Sequence, residues 1–251
     1  MEAKKIIITG GATRIGAAIA KNLVSFDTKI VIHFNRSKSS ALKLKKELEN
    51  LGAETYLLKA DLNNFKQTNS LIKNAYSKMR GLDCLINNAS VFENDNLENF
   101  SEKSFTKHIN INLKAPAILT QNFHKFVRDK EGCIINIIDQ RVEKLTPFFF
   151  SYTLSKSSLA VLTKTSAMKL APNVRVNGIS PGPTLKNKRQ SEKHFKKQWK
   201  STILRKKVDL ENICNGVKFL IESESITGEI INIDGGQRLA WQTPDIINAN
   251  E

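Results

Sequence analysis

The chain has 251 residues, 40% of them hydrophobic and 25% charged, and its 39 Lys and Arg outweigh 24 Asp and Glu to give a net charge of +15. That length suits one α/β domain with a full core, and no apolar run approaches the length of a membrane span. A basic balance can signal nucleic acid or an anionic membrane, but no recognition element accompanies it and more than half of the excess sits in one segment, so neither partner is expected.

In chain order, Lys4 to Thr9 is the short β-branched run of a buried parallel strand. It leads into Gly10-Gly11-Ala12-Thr13-Arg14-Ile15-Gly16 and a helical pattern from Ala17 to Val24. Strand, glycine turn and helix form the geometry that seats a pyrophosphate on a helix amino terminus. The spacing departs from Gly-x-Gly-x-x-Gly, and the glycines could equally make only a tight turn. The amino terminus enters this strand almost at once, so no signal peptide is expected.

A second strand, Lys29 to Phe34, runs into Asn35-Arg36-Ser37, where an NAD site would usually carry an acid for the ribose hydroxyls. An arginine stands there instead. Arg36, with Ser37 and Arg14, suits the 2′-phosphate of NADP, although Arg36 could simply face solvent. Amphipathic stretches at Ser40 to Leu51 and Asn64 to Met79 alternate with the apolar runs, which implies an α/β fold with a parallel sheet and helices on both faces.

Farther along, the apolar run Cys133 to Ile138 ends at Asp139, at the strand edge where ligands bind in open α/β sheets. Tyr152 and Lys156 follow, four apart on a predicted helix and hence on one face. A lysine ammonium near the phenol would pull the tyrosine pKa down towards neutrality and suit it to proton transfer. Such pairs also arise by chance, as an exposed lysine beside a half-buried tyrosine. Cys84, Cys133 and Cys214, odd in number, read as buried reduced thiols of a cytosolic protein. His33, His108, His124 and His194 are scattered, so no metal is expected.

From Lys186 to Lys207 there are ten basic residues and one acid, Glu192, a net +9. This segment could steer an anionic substrate, or be an ordinary solvated lysine-rich helix. The residues from about Thr243 read as a polar tail, and no linker or repeat suggests a second domain.

Taken in order, the glycine turn, Ala60-Asp61-Leu62, Asn87-Asn88-Ala89-Ser90, Asn112, Tyr152 to Lys156, Ser180 to Thr184 and Thr227 to Gly236 resemble the short-chain dehydrogenases/reductases over nearly the whole chain. The resemblance implies a single doubly wound Rossmann-type domain, residues 1–251, with a mostly parallel seven-stranded sheet and a substrate-covering lid at about 184–207. It implies that Tyr152 is the proton donor and that Lys156 holds the nicotinamide ribose and lowers the tyrosine pKa. Asn112 should anchor a water relay behind the lysine. Gly10, Thr13, Arg14, Ile15, Gly16, Asp61, Leu62, Asn88, Ala89, Ser90, Pro181 and Gly182 should contact an NADPH cofactor. Tetramers or dimers are expected through helices around Asn112 to Val127 and Tyr152 to Leu170. Ala115, Ala117, Ala160 and Ala167 would allow close approach there, unless they pack inside one subunit.

Two departures are similar to the pteridine and dihydromonapterin reductases: Asp139 where most members carry serine, and Arg14 where most carry glycine. Ser90 then falls at a position touching cofactor and pterin, and Phe92 at one whose ring stacks on the pterin, although Phe92 could be a plain loop anchor. A serine hydroxyl suits a carbonyl that becomes alkoxide; a dihydropterin C=N bond instead needs a proton on its ring nitrogen, which a carboxyl group beside Tyr152 could relay. The expected activity is NADPH-dependent reduction of a 7,8-dihydropterin or dihydrofolate, with Arg14, Ser90, Phe92, Asp139 and Tyr152 at the substrate. Alternatives are a ketone or 3-oxoacyl thioester reductase, and a non-catalytic NADP-binding sensor or scaffold.

Overall fold

Alternation along the strands assigns each side chain to one of two cores. In β1 (Lys5–Ile8), Ile6 and Ile8 face one layer and Ile7 the other, because successive strand residues point to opposite faces. The structure is a computed structural model that describes residues 4–25, 27–128, 130–187 and 190–241. Lys188 and Arg189 of the basic segment, and the tail from Thr243, lie outside the described residues.

The other strands are β2 (Lys29–Phe34), β3 (Glu54–Lys59), β4 (Cys84–Asn87), β5 (Gly132–Ile137), β6 (Val174–Pro181) and β7 (Ile230–Ile233). Their order is β3-β2-β1-β4-β5-β6-β7. All six pairings are parallel, so the sheet is fully parallel rather than mostly so. Helices α1 (Arg14–Asn22), α2 (Lys38–Asn50) and α8 (Leu210–Glu222) bury Ile19, Leu44 and Val217 against one face. On the other, α3 (Phe65–Met79), α5 (Ala115–Val127) and α6 (Phe150–Leu170) bury Leu71, Leu119 and Ala167. Each large aliphatic side chain so buried contributes about 1.5–3 kcal/mol. Among the described residues no helix is long and apolar enough to cross a membrane.

Strand order reverses between β1 and β4, and the crevice outside their carboxyl ends is where such sheets take ligands. Two buried asparagines fix the neighbouring strands: Asn87 and Asn136 are register partners on β4 and β5, and Asn87 Nδ2 donates to Asn136 Oδ1 at 2.8 Å. Asn136 Nδ2 donates in turn to Thr163 Oγ1 of α6 at 2.9 Å.

Helix α1 begins three residues before the predicted Ala17: Thr13 is extended (φ −147°, ψ 163°), and Arg14, the first residue of the helix, enters it from a left-handed conformation (φ +55°). Helix α4 (Glu102–Ile109) continues into α5 through a π-helical turn at Asn110–Lys114. That turn holds Asn112, which the sequence placed in an ordinary helix; π-turns of this kind concentrate at functional sites. Cys84, Cys133 and Cys214 are buried free thiols.

Candidate active site

One cavity of about 1070 Å³ opens at the switch point. Every site residue predicted from the sequence lines it except Asn112, Arg36 and Ser37.

Its cofactor side is built by close approach. Gly10 adopts φ +59°, and a Cβ there would lie 3.0 Å from Ala89 Cα. A Cβ on Gly16 would come within 2.6 Å of Asn88 Nδ2 and of the Gly10 carbonyl. Asn88 Nδ2 donates to the Thr9 and Gly10 carbonyls at 2.9 and 3.1 Å, while Asn88 and Ala89 N–H both donate to Thr9 Oγ1. The turn is thus tied to the loop after β4 by the side chains that line the cavity.

His33, which sequence reasoning left among the scattered histidines, ties the turn to two more strands. Gly10 N–H donates to His33 Nδ1 at 3.1 Å. Nδ1 is therefore the acceptor, and the protonated Nε2 donates to the Ala60 carbonyl at 3.1 Å. Burial, only partly opposed by that carbonyl, brings the His33 pKa down to about 4, so the ring is neutral at physiological pH. Asn35 lines the cavity, whereas Arg36, one residue on, is exposed and with Ser37 stands off its wall.

Arg14 stands at φ +55°, the left-handed region that costs a non-glycine residue about 1–2 kcal/mol. Its guanidinium donates to the carbonyls of Lys186 and Leu185 at 3.0 and 3.2 Å, clasping the start of the basic segment.

At the other end, Tyr152 is buried and its hydroxyl donates to Asp139 Oδ2 at 2.7 Å. Asp139 Oδ1 accepts the Arg141 N–H at 2.9 Å, capping a 3₁₀ turn at Gln140–Val142. Lys156 is buried and donates to the Ile137 carbonyl at 2.6 Å; its Nζ lies 5.9 Å from the Tyr152 ring centre. The sequence expectation that lysine depresses the tyrosine pKa is corrected by this geometry. Burial, then the Asp139 charge and hydrogen bond, push the phenol well above its ordinary value, with Arg141 alone opposing them. Burial brings Lys156 down to about 8, partly countered by Asp139.

Asn112 is fully engaged through its side-chain amide. Its Oδ1 accepts from Val91 N at 2.8 Å and Ser90 Oγ at 3.2 Å, and its Nδ2 donates to the Val91 carbonyl and to Ser155 Oγ, each at 3.0 Å. Two acceptances and two donations exhaust a primary amide. The side chain thus fastens the loop after β4 to Ser155, whose hydroxyl donates to the Tyr152 carbonyl at 2.7 Å.

Phe92 is half-buried beside Tyr152, with ring centres 4.6 Å apart and planes at 74°. Phe149 covers one of its faces at 4.5 Å and 5°, a parallel stack contributing about 0.5–1.5 kcal/mol beyond burial. Phe149 itself takes φ +59° at the entry to α6. Helix α7 (Glu192–Lys200), in the basic segment, presents His194, Phe195 and Gln198 to the cavity. None of the described lysines of that segment lines it. Nothing in the sequence foretold this, because charge counts carry no direction.

Comparison with known proteins accords with these features. The family described as short chain dehydrogenase matches residues 4–198. The crystal structure of FolM alternative dihydrofolate reductase 1 from Brucella suis, in complex with NADP, superposes with a TM-score of 0.92 at 40% identity, covering 96% of this chain and 97% of that one. The dihydromonapterin reductase of Enterobacter sp. (strain 638) is 25% identical over 94% of this chain and 97% of its own. A 3-oxoacyl-[acyl-carrier-protein] reductase FabG of Staphylococcus epidermidis is 27% identical over 93% and 98%. With the family match spanning well over half of the sequence, the chain belongs to the short-chain dehydrogenases/reductases, a family of oxidoreductases.

Proposed function

We propose that the protein is a cytosolic NADPH-dependent reductase that converts a 7,8-dihydropterin or dihydrofolate to its tetrahydro form. The observation that carries this reading is the carboxylate of Asp139 at 2.7 Å from the Tyr152 hydroxyl, where carbonyl reductases of the family place a serine. The NADP-bound and dihydropterin-reducing relatives support it; the FabG relatives keep thioester reduction as the competing outcome.

The cradle fits a dinucleotide phosphate. Gly10 and Gly16 leave no room for a Cβ, and Thr13 caps α1 without a side-chain hydrogen bond, so the first N–H groups of the helix face the cavity side of the turn. Asp61 and Leu62 would hold the adenine, Asn88, Ala89 and Ser90 the ribose region, and Pro181 and Gly182 the nicotinamide. Arg36 and Ser37, next to Asn35 and with no acid beside them in sequence, would take the 2′-phosphate from outside the cavity wall. When bound, the nicotinamide supplies the hydride.

The chain's own part is the proton. Tyr152 holds its proton firmly, since burial and Asp139 both oppose the phenolate. It gives that proton up when a more basic ring nitrogen lies against the hydroxyl, and Asp139 is placed to take part in replacing it. Lys156 retains its charge at neutral pH and would orient the ribose. Asn112 acts as a positioning residue, holding the loop of Ser90 and Phe92 to the Tyr152 helix.

Residues 184–207 form the lid in this reading, clasped by Arg14. A tetramer or dimer through α5 and α6 is supported by Leu154, Val161 and Met168, exposed apolar residues seven apart along α6. Ala115 and Ala167 are buried within the subunit, so they pack internally and only Ala117 and Ala160 remain for that interface.

The test is a screen of NADPH oxidation with dihydromonapterin, dihydrobiopterin and dihydrofolate beside acetoacetyl thioesters. Turnover of dihydropterins is expected; turnover confined to thioesters overturns the assignment.

A further inference from the structure

We propose that Arg141 and Lys144 form a subsite for an anionic group, a carboxylate or a phosphate, on the side chain of the acceptor; this rests on the dihydropterin reading above.

The two residues belong to one tight turn. Gln140–Val142 is 3₁₀-helical, and the N–H groups of Glu143 and Lys144 both donate to the Gln140 carbonyl at 3.1 Å. The turn closes directly after the 3₁₀ segment, and both cations line the cavity. Between them, Glu143 is drawn elsewhere: it accepts from Asn232 at 2.7 Å and pairs with Arg238 at 2.9 Å.

Neither cation is neutralised from within. Among the described residues no carboxylate pairs with Arg141 or Lys144. Of the five N–H donors of the guanidinium, one donates to Thr146 Oγ1 at 3.3 Å. Its carbon lies 4.4 Å from the Phe149 ring centre and 5.9 Å from that of Phe92. Arg141 therefore stands beside an aromatic wall and near the carboxylate that faces Tyr152, with Lys144 on the same cavity lining and neither paired in a salt bridge. That arrangement suits a flat acceptor whose side chain ends in negative charge.

The basic lid does not supply this charge. None of its described lysines lines the cavity, and Lys186 is paired with Glu192 at 2.6 Å. Selectivity for an anionic tail accordingly resides in the turn after β5 and not in the lid.

The experiment compares kcat/KM for 7,8-dihydrofolate, 7,8-dihydroneopterin monophosphate and the uncharged 7,8-dihydrobiopterin in wild type, Arg141→Gln and Lys144→Gln. The preference for an anionic over the neutral acceptor should fall about three- to tenfold in each variant, the factor lost with one charge-assisted contact. The acceptor whose preference falls identifies carboxylate or phosphate. Lys196→Gln and Lys197→Gln in the lid should leave both preferences in place. Calorimetry with p-aminobenzoylglutamate, a carboxylate tail without the pterin, separates the two ideas. Binding that is lost in Lys144→Gln supports the subsite even if no dihydropterin is reduced, in which case only the reductase reading falls. Dihydropterin turnover with preferences unchanged by both substitutions overturns the subsite and leaves the reductase reading standing. No turnover and no binding of the tail overturns both.

Discussion

Replacing Asp139 by serine tests the proposed proton transfer with little collateral damage. The carboxylate does two separable things: Oδ2 accepts the Tyr152 hydroxyl at 2.7 Å and Oδ1 caps the 3₁₀ turn through the Arg141 N–H at 2.9 Å. Serine and aspartate cap comparably, so the turn should persist and unfolding free energy should change by less than about 1 kcal/mol. What disappears is a charge-assisted hydrogen bond, about 1.5–3 kcal/mol, and with it the carboxyl group's part in protonating the acceptor, a contribution of roughly 10²–10⁴ in rate. Dihydropterin kcat, followed by NADPH oxidation, should therefore fall at least tenfold, while the NADPH dissociation constant moves by less than about twofold because the glycine turn lies at the other end of the cavity. Removing the Asp139 charge should also bring the Tyr152 pKa down, shifting the alkaline limb of the pH profile to lower pH. An unchanged dihydropterin kcat would remove the aspartate from the mechanism.

Lys156→Met should abolish turnover yet raise stability. The folded-state pKa of about 8 lies below the ordinary 10.5, so between those values the unfolded chain binds more protons. Stability therefore rises with pH across that window, and below pH 8 the buried ammonium costs about 3 kcal/mol. Denaturant titrations should show the variant more stable at pH 7 and the gap closing by pH 10; a less stable variant refutes the argument. His33 has the opposite window: with a folded-state pKa of about 4 against 6.5, it makes stability fall by about 3 kcal/mol as pH drops from 6.5 through 4. His33→Gln, which keeps a donor and an acceptor but does not titrate there, should flatten that loss, and an unaltered acid profile would show that other groups govern it. Gly16→Ala places a Cβ within 2.6 Å of Asn88 Nδ2 and the Gly10 carbonyl, overpacking that costs about 1–3 kcal/mol. NADPH affinity measured by fluorescence should weaken tenfold or more, and retained affinity would mean that the turn relaxes without consequence.

The sheet was legible because its determinants are local. The runs at Lys4 to Thr9, Lys29 to Phe34 and Cys133 to Ile138 fell within one residue of β1, β2 and β5 at either end, and the ordered motifs located the cavity. Properties that arise only from the surroundings were not legible. Helical spacing brought Tyr152 and Lys156 to one face, but burial and the Ile137 carbonyl decide where the ammonium points. The π-turn at Asn112 leaves the apolar pattern intact and so gives no local sign. Phe149 stacks on Phe92 through a left-handed backbone that no propensity favours for phenylalanine. Arg141 and Lys144 belong to no sequence motif, and only the folded turn brings both to the cavity lining.

The pairing of Asn87 with Asn136 has a consequence for the dimensions of the active site. Both are buried on adjacent strands, and a slip of one residue between β4 and β5 would set the Asn87 amide against Ile135 or Ile137 in place of Asn136, leaving polar atoms unsatisfied at about 1–3 kcal/mol apiece. The loop bearing Asn88 and Ala89 leaves one of these strands, and Asp139 leaves the other two residues past its end. The asparagine pair thus works as an alignment mark, setting during folding how far the cofactor cradle stands from the proton donor's partner, a distance that neither loop could establish alone.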